Sequence, residues 1–306
     1  MATIAIIGDA HTTETGDRVA QLTSDLNNMI SLSPTGQVDV ILTTGDMETV
    51  TKFDQAHKAS NVSNISLYYT IGNHDVDNID DVKDFQPKEP TNPGPIGTEK
   101  TSFSLTVGNI HITMLNLYWD EKSNEGWTGG GKSGGEVVPK LLTWLQTDLA
   151  TSTTLYKIVL AHEPMYPDKR HKGNSLDWNI PARDALQKVL TDNGADAFFA
   201  GHTHFADALK IGNLLQVQTG VLGTKAGTNG DDFRSMWFAH VAPNGDMIIT
   251  WKHNSNSGNS WTNPTVKTWT FPQNGTSPIE SSSSSLPLLI TIAALGYYLI
   301  KRNKHK

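Results

Sequence analysis

Cysteine is absent from the 306 residues, which excludes disulfides, thiolate metal sites and a cysteine nucleophile together. Basic residues are scarce: 24 Lys and Arg face 31 Asp and Glu, and four of the 24 (Lys301, Arg302, Lys304, Lys306) sit in the last six positions. The remaining body is acidic, so no broad nucleic-acid-binding face is indicated. Long apolar runs are lacking too, apart from one near the C-terminus, and hydrophobic residues reach only 37%. Eight Trp, nine Phe and seven Tyr still supply the large side chains a core needs. Met1-Ala-Thr-Ile-Ala-Ile-Ile-Gly-Asp9 is too short an apolar run for a leader, with no basic segment before it, and reads as a first strand.

From there, short apolar runs alternate with amphipathic stretches. Ile4–Ile7, Val38–Leu42, Leu67–Ile71, Lys157–Ala161 and Ala197–Ala200 read as strands, and Asp17–Ser31, Pro139–Ala150 and Pro181–Asn193 as helices. The last two begin with proline, whose missing N–H costs nothing in a first helical turn. Hairpin-like spacing among Ser102–Val107, Ile110–Leu117, Leu214–Thr219, Met236–Val241, Met247–Lys252 and Lys267–Phe271 adds antiparallel strands. The class is therefore α/β, with layered mixed β-sheets flanked by helices, over residues 1–271.

After Phe271 the composition changes. Residues 272–285 are rich in Ser and Pro and read as a flexible linker. Leu286–Ile300 carries no charge, and with the serines before it reaches the length of a membrane-crossing helix; residues 301–306 form a basic tail. The expectation is a single C-terminal membrane anchor, with the positive tail on the cytoplasmic side and the main domain extracytoplasmic.

Five strand ends carry the chemistry. Ile4–Ile7 leads to Asp9 and His11, Val38–Leu42 to Gly45-Asp46, and Leu67–Ile71 to Gly72-Asn73-His74-Asp75. Lys157–Ala161 leads to His162, and Ala197–Ala200 to Gly201-His202-Thr203-His204. Ligands of α/β sheets gather outside the carboxyl ends of the strands, so these loops can share one crevice. Carboxylates, imidazoles and one amide oxygen suit Fe, Mn or Zn. Two ions about 3.5–4 Å apart can clamp the attacking and leaving oxygens of a phosphoryl displacement, and Asp46, in the central loop, is the natural bridge.

This ordered set of motifs resembles the calcineurin-like metallophosphoesterase superfamily, over residues 1 to about 250. The resemblance implies a four-layer sandwich and two divalent or trivalent transition-metal ions. It places Asp9, His11, Asp46 and His204 on one ion and Asp46, Asn73, His162 and His202 on the other. It also implies that a small phosphomonoester or phosphodiester is hydrolysed by in-line attack of metal-bound hydroxide, with His74 as general acid. The protein Ser/Thr phosphatases of the superfamily continue Gly-Asp with an aspartate and an arginine; here Met47-Glu48-Thr49 follows, leaving Asp75 or Glu48 to orient His74. Purple acid phosphatases place a tyrosine at the Thr49 position and lack His11, so an iron–tyrosinate site is not expected. The Tyr68–Asp75 and Ala200–His204 segments and the Trp144-bearing helix are nevertheless similar to the acid-phosphatase branch.

Other features weigh less. Gly126–Ser133 matches the phosphate-loop pattern in letters, but lacks the strand before it and the helix after it. Lys169, Arg170 and His171 read first as a solvated charge cluster, and His57, His111, His171, His240 and His253 as surface or satisfied core positions. The alternative to an enzyme is a membrane-displayed metal-binding or interaction protein without turnover.

Overall fold

The structure, a computed structural model, describes residues 2–12, 18–86, 92–122, 134–222, 234–254, 261, 264–273, 275 and 277–283. Two seven-stranded mixed sheets face each other, each backed by helices. Sheet one contains β1 (Thr3–Ile7), β2 (Val40–Thr43) and β3 (Ser66–Tyr68) in parallel, joined through α1 (Arg18–Leu32) and α2 (Val50–Ala59). A further helix, α3 (Ile79–Phe85), follows β3. Sheet two opens with β4 (Asn92–Pro93) and β5 (Phe103–Val107). It continues through β6 (Ile110–Met114), β7 (Tyr156–Leu160) and β8 (Ala197–Ala200), which are parallel and joined through α4 (Pro139–Thr151) and α5 (Ile180–Asp192).

The hairpin of β9 (Ala206–Ile211) and β10 (Leu214–Thr219) completes sheet two. The chain then crosses to sheet one as β11 (Ser235–Val241), β12 (Met247–His253), β13 (Thr265–Phe271) and β14 (Ile279–Ser283). β11 pairs antiparallel with β1, so the sheet order is β14-β13-β12-β11-β1-β2-β3.

Alternation along each strand builds the layers. Ile4 and Ile6 point between the sheets, against Ile112, Ile158, Phe199 and Trp237, while Ala5 and Ile7 point outward into a second cluster with Leu22, Leu26, Met29 and Phe53 of α1 and α2. Val159, Ala161, Phe198 and Ala200 do the same for sheet two, meeting Leu141, Leu145, Leu186 and Leu190 of α4 and α5. Strands covered on both faces have no polar side to show, which explains their continuous apolar runs.

The expected helices and apolar strands are present within a few residues. Leu67–Ile71 is shorter than expected as a strand: pairing ends at Tyr68, and Tyr69–Ile71 already belong to the loop that turns toward the site. The linker expected over 272–285 is corrected for residues 279–283, which pair with β13 from Thr270↔Ile279 to Val266↔Ser283. Serine scores as a linker by composition, but an open edge of β13 offers its backbone the ladder partners it lacks alone. Residues 286–306 and the Gly126–Ser133 motif lie outside the described residues, among which no helix is long and apolar enough to cross a membrane.

Candidate metal centre

The carboxyl ends of β1, β2 and β3 meet those of β7 and β8 at one edge of the sandwich. Backbone bonds hold the loops in register: the Asp9 N–H donates to Gly45 O at 3.1 Å, His11 N–H to Asp46 O at 3.1 Å and Gly201 N–H to His162 O at 2.9 Å. Further contacts cross between the sheets. His202 N–H donates to Asp9 Oδ1 at 2.9 Å, and His162 Nδ1 lies 2.7 Å from Thr44 O.

Glycine lets the loops approach this closely. A Cβ on Gly72 would overlap the Asp46 carboxylate, one on Gly201 would overlap Asp9, and one on Gly45 would sit 2.7 Å from His162 Nδ1. Asp9, His11, Asp46, Glu48, Lys169, His171, His202 and His204 all hold positive φ without being glycine, with values from 43° to 66°. Backbone strain of this kind, about 1–3 kcal/mol at each residue, persists where the surrounding structure fixes it for a site.

All seven expected metal-type side chains come together. Asp9, His11, Asp46 and His204 form one group, and Asp46, His162 and His202 another. Asp46 Oδ2 belongs to both, 3.8 Å from His11 Nε2 and 3.3 Å from His162 Nε2. Asn73 Oδ1 joins the second group, 3.0 Å from His162 Nε2 and 3.1 Å from His202 Nδ1. His11 Nε2 and His204 Nε2 face each other at 2.8 Å in the first. The donors fit a cation pair chemically, being oxygen and imidazole ligands on buried stems. Asp9 Oδ2, fully buried, has no hydrogen-bond partner, which is the mark of an atom placed for an ion.

The field of the site is uneven. Burial opposes the charged form of Asp46, yet facing His162, His11 and His74 hold its carboxyl well below the usual range. Burial also opposes charge on His162 and His11. Asp46 and Asp9 push the first up to about 10, and Glu48, Asp46 and Asp9 push the second up to about 9. Burial, aided by His162 and His171, drives His202 well down. Protons and metal ions compete for such nitrogens.

Not every expected residue occupies its expected role. His74 is half-exposed at the rim, with 51% of its side chain open, while Asp9, His11, Asp46, His162 and His202 are buried. Asp75 does not turn toward His74. Its carboxylate accepts the N–H groups of Asp46 (2.8 Å), Gly72 (2.9 Å) and Glu48 (2.8 Å), and so ties the β3 loop to the β2 loop. Burial and the Asp46 charge push it up to about 7. Glu48 takes the place beside the imidazoles, with Oε1 2.9 Å from His11 Nδ1 and 3.4 Å from His74 Nδ1.

The charge cluster after His162 is part of the rim. Arg170 Nη1 lies 3.1 Å from His204 Nδ1, and the His171 ring centroid sits 4.0 Å from that of His202, the rings tilted by 38°. Burial and Arg170 push His171 down to about 4. No sequence motif marks Glu163 apart from its place directly after His162 in a strand-end loop. It is fully buried, and burial pushes its carboxyl up to about 8.

A family model described as calcineurin-like phosphoesterase matches residues 2–206. Purple acid phosphatase 22 of Arabidopsis thaliana is 27% identical over 117 residues, 37% of this chain and 23% of its own length. An acid phosphatase of Aspergillus ficuum is 29% identical over 115 residues, 37% of this chain and 14% of its own. The chain thus spans less than a quarter of either relative. Among solved structures, PhoD superposes with a TM-score of 0.60 at 11% identity, covering 94% of this chain and 72% of that one. GAP50, described as the anchor in the inner membrane complex of Plasmodium, gives 0.55 at 11% identity, covering 84% and 86%. These likenesses show the fold. Because the family match runs from the first strand through the loop that ends in His204, taking in every strand end that bears a candidate ligand, this chain belongs to the calcineurin-like phosphoesterase family.

Proposed function

We propose that the chain hydrolyses a small phosphomonoester or phosphodiester at a centre of two transition-metal ions (Fe, Mn or Zn). Asp9, His11, Asp46 and His204 hold one ion; Asp46, Asn73, His162 and His202 hold the other. The observation that carries this reading is the place of Asp46, whose buried carboxylate lies between two groups of imidazoles contributed by both sheets. Bound there, the ions supply positive charge against the phosphoryl oxygens and activate water for in-line displacement.

The residues of the chain do the rest. Asp75 fixes the backbone of Asp46 and Glu48 through its three accepted hydrogen bonds. His74, open to solvent beside the buried ligands, protonates the leaving oxygen, a role that requires contact with substrate rather than burial. Glu48, facing both His74 and His11, orients the acid in place of the aspartate found in the Ser/Thr phosphatases. Arg170 sets a fixed positive charge at the rim, where a substrate phosphate approaches.

The test is hydrolysis by the purified chain of a panel of aryl monoesters, aryl diesters and nucleotides. Activity is expected to vanish on removal of metal with a chelator and to return with Mn, Zn or Fe; activity untouched by thorough chelation contradicts the reading. Which ester is cleaved fastest fixes the substrate class.

The proposal extends to placement. Residues 286–300 serve as a membrane anchor with the catalytic domain extracytoplasmic, a reading supported by the uncharged run and the basic flank. Ser283 pairs opposite Val266, and the ladder through Lys252 and Met236 brings that end of β14 to the sheet edge that bears the metal-centre loops. Fractionation should leave the full chain with membranes, and protease added to intact cells should digest the domain. A full chain found in the soluble fraction refutes the anchor, and a protected membrane-bound domain refutes the orientation.

A further inference from the structure

Each imidazole of the centre whose ring is pinned from behind shows which nitrogen it offers. His162 turns Nδ1 to Thr44 O at 2.7 Å and Nε2 to the centre. His11 turns Nδ1 to Glu48 and Nε2 to the centre. His202 is reversed. Its Nδ1 faces Asn73 Oδ1 and the centre, and its Nε2 points back into the protein, 3.3 Å from Glu163 Oε2.

We propose that Glu163 is a positioning residue that accepts the Nε2–H of His202 and so keeps the lone pair of Nδ1 turned to the metal centre. The inference rests on the reading of His202 as a ligand. Glu163 Oε2 and His202 Nε2 lie buried 3.3 Å apart, and neither has a hydrogen-bond partner. Burying a carboxyl oxygen and a ring nitrogen side by side costs most when no bond joins them, and a ring whose Nδ1 lone pair faces the centre keeps its proton on Nε2, where Glu163 Oε2 is placed to accept it. A carboxylate behind a ligating imidazole fixes the tautomer and the ring angle.

The carboxylate is itself held. Tyr118 OH, from the loop after β6, donates to Oε1 at 2.7 Å, and a Cβ on Gly135 would crowd Glu163 Cγ at 3.0 Å. The far side of His202 is closed by the His171 ring at 4.0 Å, and its backbone is pinned at φ 66° with the N–H on Asp9. With ring and backbone fixed, the remaining freedom of His202 is which nitrogen carries the proton, and Glu163 decides it. Asn73, at the front, is a neutral amide whose oxygen and nitrogen can exchange places and imposes no such choice.

The test compares the full wild-type chain with Glu163→Gln, whose amide oxygen still accepts, and Glu163→Met, which fills similar volume without an acceptor. In metal-free protein labelled with ¹⁵N-histidine, long-range ¹H–¹⁵N spectra, assigned through a His202→Asn control, are expected to show His202 as the Nε2–H tautomer in the wild type and in Glu163→Gln. Glu163→Met is expected to lose that tautomer. In titrations with Mn²⁺ alone, Glu163→Met should bind one ion about 10–100-fold more weakly while Glu163→Gln stays within a few-fold. A wild-type His202 protonated on Nδ1, or Mn²⁺ binding equally tight in all three proteins, overturns the proposal. If Glu163→Met fails to fold, the wild-type tautomer still decides. A wild-type chain that binds no Mn²⁺ overturns the ligand reading instead, and the tautomer still judges Glu163.

Discussion

His74 and Asp75 are neighbours in sequence with opposite fates in space, and substituting each separates chemistry from architecture. His74→Ala removes a half-exposed ring and keeps the backbone N–H that donates to Asp46 Oδ1. It should keep its metal and its melting temperature while turnover falls by about 10²–10⁴-fold, the loss expected for a general acid. Asp75→Ala leaves the N–H groups of Asp46, Glu48 and Gly72 without their acceptor at a buried position. It should cost about 2–4 kcal/mol of stability together with metal affinity, measured by urea unfolding and metal analysis. Equal thermal stability of the two variants would contradict this division. The metal-type residues were legible in the sequence because glycine, carboxylate and histidine recur at strand ends, a pattern local to the chain. Glu48 beside His74 is one of two residues the sequence offers, whereas the service of Asp75 to three backbone amides, and of Glu163 to a ring nitrogen, depends on loops brought together from distant strands, and no spacing records it.

Among the elements, one carboxylate of α4 ties the helix to three strands of sheet two. Asp148, in its last turns, accepts from Asn92 of β4 (2.7 Å), Ser104 of β5 (2.6 Å) and Thr113 of β6 (2.7 Å), and lies 2.8 Å from His111 Nε2. Burial opposes its charge, but His111, Ser104 and Thr113 outweigh burial and lower its pKa. A carboxyl lowered in the folded state contributes stability that is whole above its unfolded value, about 3.9, and is lost as pH falls toward the folded value. Asp148→Ala, which strands four polar partners, should cost about 3–5 kcal/mol near neutral pH. Urea midpoints followed downward in pH should show the gap to wild type closing only below about pH 4; a gap constant to pH 2 would contradict the assignment. The strands of both sheet interiors could be read in advance because their two covered faces demand unbroken apolar runs. α2, β9 and β14 could not: Lys52, Asp54 and Lys58 dilute the apolar face of α2, β9 is half-exposed, and β14 is mostly serine held by the edge of β13.

At the scale of the molecule, the centre exists only where the two sheets meet. Asp9, His11, Asp46 and Asn73 come from loops of sheet one, and His162, His202 and His204 from loops of sheet two. Their shared position explains why the alternation that builds the core also builds the site: strands parallel in both halves present their carboxyl ends along one edge. Metal binding is therefore coupled to packing of the whole sandwich, and ions at about 1,000 times their dissociation constant should add about 4 kcal/mol to its stability. The most direct test of the central claim is metal stoichiometry in the wild type and in Asp46→Ala, read by elemental analysis alongside hydrolysis of an aryl phosphoester. Two ions per wild-type chain, with both ions and turnover lost in Asp46→Ala, is the predicted result. A wild type that turns over with one ion or none, or an Asp46→Ala chain that retains two ions and full activity, would contradict the account.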